Sequence, residues 1–171
     1  MTDATPLNRY IDLARELGMT NAVLITPQQM LFDRRAVLKC LWGCDDMYAP
    51  SLKCSQRGTT YEERVAMAMS YRNVLLVHAH DARQLSQAVL EIERQAFLDG
   101  NPFAFALRCC NLCPTCNVLN GGPCPTPDKI RPCDQGFGID VYGTAAKLGL
   151  PIAPLRAKDD LQNRYGFVLI N

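Results

Sequence analysis

The chain has 171 residues, 48% of them hydrophobic and 20% charged, which is the globular range and long enough to bury a sizeable core in one domain spanning 1–171. Lys and Arg total 18 against 17 Asp and Glu, so no strong field favours nucleic acid or an anionic lipid surface, although such a balance can hide a local patch. Residues 1–10 carry no basic segment followed by an apolar run, and no apolar stretch approaches the roughly 18 residues of a membrane span. The expectation is a cytoplasmic protein that binds neither nucleic acid nor membrane. Its 9 cysteines then argue against a disulfide framework, because that compartment is reducing and an odd count pairs poorly.

In chain order, Thr5, Pro6 and Gly18 bracket a predicted helix over 6–17, with Leu7, Ile11, Ala14 and Leu17 on one face. Residues 22–26 read as a buried strand stopped by Pro27. A second short strand is expected over 35–39, delivering Cys40 to its end. Cys40, Cys44 and Cys54 then fall in an irregular segment with Gly43, Pro50 and Gly58. Thr60 and Glu63 have capping-box spacing and open a helix whose stripe is Tyr61, Val65 and Ala68 or Met69. Met67 and Met69 read as core filler.

Residues 73–79 form the clearest strand, apolar on both faces and so suited to an interior position. Asp81 caps a long helix running to Asp99-Gly100, with Leu85, Val89, Ile92 and Ala96 inward. A strand over 103–107 runs into Cys109. A helix of about 140–148 and a terminal strand over 166–170 complete the order. Strands alternating with helices predict an α/β fold: a mixed, largely parallel sheet flanked by helices, with two cysteine-rich metal-binding loops, each following a strand end.

Six of the cysteines lie between Cys109 and Cys133. Cys110, Cys113 and Cys116, in steps of three, place three thiolates on one compact loop, which suits three corners of a cubane iron–sulfur cluster. Cys124-Pro125 is the candidate fourth corner. A structural zinc site is the alternative, although zinc favours two cysteine pairs held apart. The earlier group, Cys40, Cys44 and Cys54, has three thiols, and either Cys133 or Cys124 completes it, the other closing the later site. Eight cysteines (Cys40, Cys44, Cys54, Cys110, Cys113, Cys116, Cys124 and Cys133) would serve two [4Fe–4S] clusters, leaving Cys109 spare. Cys54 or Cys133 could instead be a simple buried thiol.

His78 and His80 lie two apart on a predicted strand and so face one way; metal ligation and ordinary packing are both open. Trp42 and Tyr48, within the first group, either shield a cluster or pack the loop. Lys39, Lys53, Arg57, Arg108, Lys129 and Arg131 flank the groups, where they offset thiolate charge or remain solvated. No phosphate-cradling glycine loop, nucleophile elbow or His-Glu-x-x-His motif is present.

Several pieces together resemble a family of predicted metal-binding proteins, small and cysteine-rich, of anaerobic bacteria and archaea. They are Leu38-Lys39-Cys40 with Gly43-Cys44, the helix end Glu93 to Gly100, the Cys110–Cys116 run, Arg131-Pro132, and Gly138-Ile139-Asp140-Val141, spread over roughly 38–150. The resemblance implies a metal-binding, four-iron cluster protein and names no reaction. Two departures stand out. Ser55-Gln56 follows Cys54 where relatives tend to carry prolines, and Phe137 precedes Gly-Ile-Asp where relatives often carry cysteine. Cys133 lies one helical turn earlier, so the ligand has either shifted by a turn or belongs to a different second site.

Three functions compete at this point. One is electron transfer or a redox accessory role with a redox protein partner. The second is an enzyme whose three-cysteine cluster leaves one iron open. The third is a zinc-stabilised interaction module.

Overall fold

The computed structural model describes residues 7–44, 52–54 and 57–171, without the side chain of Lys53. Thr5, Pro6, Tyr48, Pro50, Ser55 and Gln56 lie outside the described residues. Its elements are α1 (Asn8–Glu16), β1 (Asn21–Ile25), α2 (Arg34–Gly43), α3 (Tyr61–Met69), β2 (Val74–Ala79), α4 (Ala82–Leu98), β3 (Phe105–Leu107), α5 (Asp134–Phe137), α6 (Val141–Lys147) and β4 (Arg164–Leu169).

The four strands form one sheet in the order β1-β2-β4-β3, and every neighbouring pair is antiparallel. This corrects the expected largely parallel sheet. The cause is specific. Val74 of β2 and Phe105 of β3 both face Leu169 of β4, so β2 and β3 do run the same way across the α4 crossover, as strand-helix-strand alternation predicts. They are not neighbours, however. β4 inserts between them in the opposite sense and removes the parallel contact.

The interior strands divide their side chains by period two. Leu75, Val77 and Ala79 of β2, with Val168 of β4 and Ile170 just beyond it, pack under Tyr10 and Ala14 of α1 and Leu85, Val89, Ile92 and Ala96 of α4. Val74, Leu76, Tyr165, Phe167 and Leu169 face the other way, onto Ala68 of α3, Phe137 of α5, Ile139 and Ala145 of α6. Helices thus cover both faces, and every residue of β2 is buried, as its unbroken apolar run predicts. Gly166 is needed where α4 comes closest, since a Cβ there would stand 2.9 Å from Val89 Cγ1.

Four helix N-termini carry side-chain caps, those at Thr60 and Asp81 being the ones the sequence indicates. Thr60 accepts from Glu63 N at 3.2 Å while Glu63 accepts from Thr60 N at 2.7 Å. Asp81 accepts from Gln84 N at 2.6 Å, and Asp140 from Gly143 N at 2.9 Å. The expected strand over 35–39 is instead the middle of α2. Asp33 accepts from Arg35 N at 2.8 Å and nucleates the helix. Cys40 therefore sits within a helix, not at a strand end. The later loop does follow a strand end, that of β3.

A short antiparallel meeting joins the ends of α2 and α5. Asp140 N donates to Leu31 O at 2.8 Å, Asp33 N donates to Gly138 O at 3.0 Å, and Phe32 bridges Ile139. Gly138 makes this turn at φ +111°, and a Cβ there would meet the Tyr61 ring at 2.7 Å. Gly138→Ala is expected to cost about 1–3 kcal/mol and to lower Tm by about 3–10 °C in thermal unfolding by circular dichroism.

His78 is buried beside Tyr165, with ring centroids 4.7 Å apart. Its Nε2 donates to Asn163 Oδ1 at 2.9 Å, and its Nδ1 has no partner among the described residues. Burial pushes its pKa below the ordinary 6.5; the Asn163 bond opposes this and His80 adds to it. The folded state therefore prefers the neutral ring, while unfolding restores a pKa of about 6.5. Below that pH the unfolded chain binds the extra proton, so the stability contribution is present above it and is lost as pH falls toward the folded value. Tm measured from pH 7.5 to 5.5 is expected to fall, and His78→Phe to flatten that part of the profile.

Candidate metal centre

The joining of residues 31–33 to 138–140 lays α2 beside α5. Cys40, 6% exposed, faces α5, and Gly136 gives it room: a Cβ there would lie 3.3 Å from Cys40 Sγ. Cys133 occupies the N-cap of α5. On its other side, Arg108 N donates to Pro132 O at 3.0 Å, which brings the chain leaving β3 alongside Cys133.

Cys133 has the Cys40 and Cys109 thiols as neighbours, and its Sγ donates to Asp134 Oδ1 at 3.5 Å. Hydrogen bonding with Cys133 holds Cys40 below the ordinary thiol value; burial and the charges of Cys54, Cys44 and Cys109 oppose it. At Cys133 the Cys109 contact lowers the pKa, but the Cys40 contact, burial and the Asp134 carboxylate outweigh it and push the thiol up. Cys44 caps the C-terminus of α2, and Cys54 ends a short 3₁₀ turn over Leu52–Cys54. Both are close enough for their charge to act on Cys40. The structure thus brings Cys40, Cys44, Cys54, Cys109 and Cys133 together.

The other four cysteines form a second group. Cys110, Cys113, Cys116 and Cys124 all border one small cavity of about 50 Å³, with apolar Leu52, Leu112, Val118 and Ile130 also on its wall. Cys116 is the exposed member. Of the two fourth-corner candidates, Cys124 lies with the later triplet and Cys133 with Cys40. Among the described residues, no three Cys, His, Asp or Glu side chains are placed to hold a metal ion as they stand. Cys40 and Cys133 are neighbours in the earlier group, and the four later cysteines share the wall of one small cavity.

Charged residues fix both groups to the frame. Arg131 grips Glu93 of α4 with Nε at 2.8 Å and with a second, shorter bond from Nη2, while its Nη1 donates to the carbonyls of Asp128 and Ile130, each at 3.0 Å. Glu93 also accepts from Ala106 N at 2.6 Å. One carboxylate thereby ties β3 and the loop after Cys124 to the same helix. Arg108 Nη1 lies 4.0 Å from the buried Asp134 carboxylate, and its Nε has no partner among the described residues. Burial pushes the Asp134 pKa up, against the pull of Arg108. Lys39, Arg57 and Lys129 are exposed.

Beside the earlier group opens a cleft of about 1050 Å³. Cys40, Cys54 and Cys133 lie on its wall, among Leu41, Tyr71, Phe103, Phe105 and Phe137. Arg64 also lines it. This side chain is 4% exposed and donates to Thr59 O at 2.7 Å and to Phe137 O at 3.3 Å. Leu52 and Ile130 border both this cleft and the small cavity, so the two cysteine groups are neighbours.

The histidines take no part, since neither His78 nor His80 lines either cavity, and His80 bonds the Gln162 carbonyl. Trp42 is 76% exposed and lines neither cavity. Sequence reasoning treats Cys109 as spare, because two adjacent cysteines crowd one small site; Cys110 lines the small cavity and Cys109 does not. It missed the cleft, whose wall comes from segments far apart in the chain.

Among the described residues, no helix is long and apolar enough to cross a membrane. No curated protein and no solved structure matches the chain. The family model described as "Predicted metal-binding protein (DUF2284)" matches residues 23–170, a span that takes in all nine cysteines, and the chain belongs to that family.

Proposed function

We propose that the chain holds two iron–sulfur clusters of the [4Fe–4S] type and works in electron transfer, or as a redox accessory to a protein partner. Cys110, Cys113, Cys116 and Cys124 would hold one, and Cys40, Cys44, Cys54 and Cys133 the other. The observation that carries this reading is the lining of the later cavity, where four thiols and an apolar shell meet around one space. Spacing supports it too, since three cysteines in steps of three suit adjacent corners of a cubane better than the paired arms of a zinc site.

When bound, such groups supply one-electron chemistry. The protein's part is to hold the thiols and set their surroundings. Leu52, Leu112, Val118 and Ile130 would place apolar surface beside the cluster, which tunes potential. Arg108, which with Cys110 and Arg131 lines a further small hollow, brings positive charge toward the thiolates.

The large cleft favours a second reading, in which the earlier group serves a substrate. Its apolar lining with a few placed polar groups is the usual make-up of a small-molecule site. In that case three cysteines would hold the earlier group and leave one iron accessible.

Anaerobic reconstitution is expected to give about eight iron and eight sulfide per chain, with broad visible absorption, and Cys113→Ala or Cys116→Ala to bring both counts to about four. Protein that takes only zinc, without that absorption, would overturn the proposal and leave a zinc-stabilised module, which should unfold on chelation. Loss of a cluster in both Cys124→Ala and Cys133→Ala would leave no open corner and set the second reading aside.

A further inference from the structure

We infer that the large cleft binds a small monoanion with an apolar body, an aryl or branched-alkyl carboxylate, and that Arg64 holds its carboxylate. The inference rests on the reading of the cleft as a small-molecule site, and not on the metal held by the neighbouring cysteines.

Arg64 belongs to α3, is 4% exposed and lines the cleft. Its Nη1 donates to Thr59 O at 2.7 Å and to Thr59 Oγ1 at 3.3 Å, and its Nε to Phe137 O at 3.3 Å. All of these acceptors are neutral. Among the described residues, no carboxylate lies within ion-pair distance of this guanidinium, and its Nη2 has no hydrogen-bond acceptor. The adjacent Glu63 is exposed and accepts from Thr60 N instead. A guanidinium does not shed its proton, and an ionised group out of water is costly unless an opposite charge meets it. Neutral carbonyls satisfy its donors and leave its charge unmatched. An anion that enters the cleft and meets Nη2 supplies that charge.

The rest of the wall narrows the class. Arg131 is committed to Glu93, and Arg57 and Asp128 are exposed. One buried positive charge matches one negative charge, whereas a phosphate calls for a cluster of cations or of backbone N–H groups. Around Arg64 the lining is apolar and largely aromatic, with Leu41, Met67, Tyr71, Phe103, Phe105 and Phe137. Tyr71 Oη donates to Phe103 O at 2.5 Å and ties two of these together. Such faces suit a flat or branched apolar body, and about 1050 Å³ is ample for one. The anchor also stands close to the earlier cysteines. Phe137, whose carbonyl Arg64 holds, donates its N–H to Cys133 O at 2.8 Å, one helical turn away.

The test is calorimetric titration of the metal-loaded full chain with benzoate, phenylacetate and isovalerate, with their primary amides as neutral controls and with inorganic phosphate as competitor. At least one acid is expected to bind, with its amide about tenfold or more weaker. Arg64→Gln should weaken that acid about tenfold and leave the amide unchanged. Arg64→Lys, which keeps the charge without the fork, should fall between. A purely structural Arg64 would not give this split, since a loosened wall weakens acid and amide alike. Circular dichroism checks that each variant folds, and if Arg64→Gln does not, the same acid-against-amide comparison on Arg64→Lys takes its place. Equal binding of acid and amide, equal weakening of both in the variants, or displacement of the acid by phosphate at equal concentration would overturn the inference while leaving the cleft a small-molecule site. If neither acids nor amides bind, both fail; iron and sulfide counts on the same protein report the metal reading separately.

Discussion

Where residues 31–33 meet 138–140, two backbone hydrogen bonds decide the position of Cys40 relative to Cys133. Neither α2 nor α5 contributes a strand to the sheet. Their mutual placement comes from this short antiparallel contact, from Gly138 at a φ that other residues rarely adopt, and from Leu31 N bonded to the fully buried Thr144 at 2.9 Å. Ile139, next to Gly138, is itself fully buried against the sheet. The thiol contact is therefore referenced to the core through one buried side chain and a handful of backbone bonds.

Ionic contacts do for the later loop what that turn does for the earlier group. Leaving a charge unpaired at low exposure is expensive, so a half-broken pair of this kind is worse than none. Glu93 and Arg131 are both largely buried and bond as a fork, and the same carboxylate holds the Ala106 amide. A single residue of α4 thus keeps β3, which leads into the cysteine run, in register with the segment that follows Cys124. Arg108 and Asp134 repeat the theme more loosely at 4.0 Å, between the residue before Cys109 and the residue after Cys133. The segments around Cys109 and Cys133 thus each have a charged neighbour anchored elsewhere.

Much of this was legible in the chain. The helices from Asn8, Tyr61 and Ala82 and the strands from Asn21 and Val74 follow from periodicity and from capping residues that act locally, at positions such as Thr60 and Asp81. The compact run of Cys110, Cys113 and Cys116 was visible as spacing, while spacing left Cys124 and Cys133 open between the two groups. What was not legible depended on contacts between distant segments. The sequence shows β2, α4 and β3 in an order that implies a parallel pair, and nothing local in Arg164–Leu169 says that this strand will enter between them. The helix over Arg34–Gly43 was mistaken for a strand because Ala36, Val37 and Leu38 make a short apolar run. The decisive signal was the Asp33 cap, with Val37, Cys40 and Cys44 following at helical spacing.

β4 pairs with both β2 and β3, and it follows every cysteine in the sequence. A ribosome makes the chain from its N-terminus, and long-range strand pairing waits until both partners exist. All nine thiols therefore emerge before the strand that completes the sheet between β2 and β3. For that interval they belong to a chain with no finished interior, open to oxidation and to whichever soft metal arrives first. Maturation of this protein is thus a matter of timing as well as of affinity, and the cell that makes it must keep those thiols reduced until the last strand slots in.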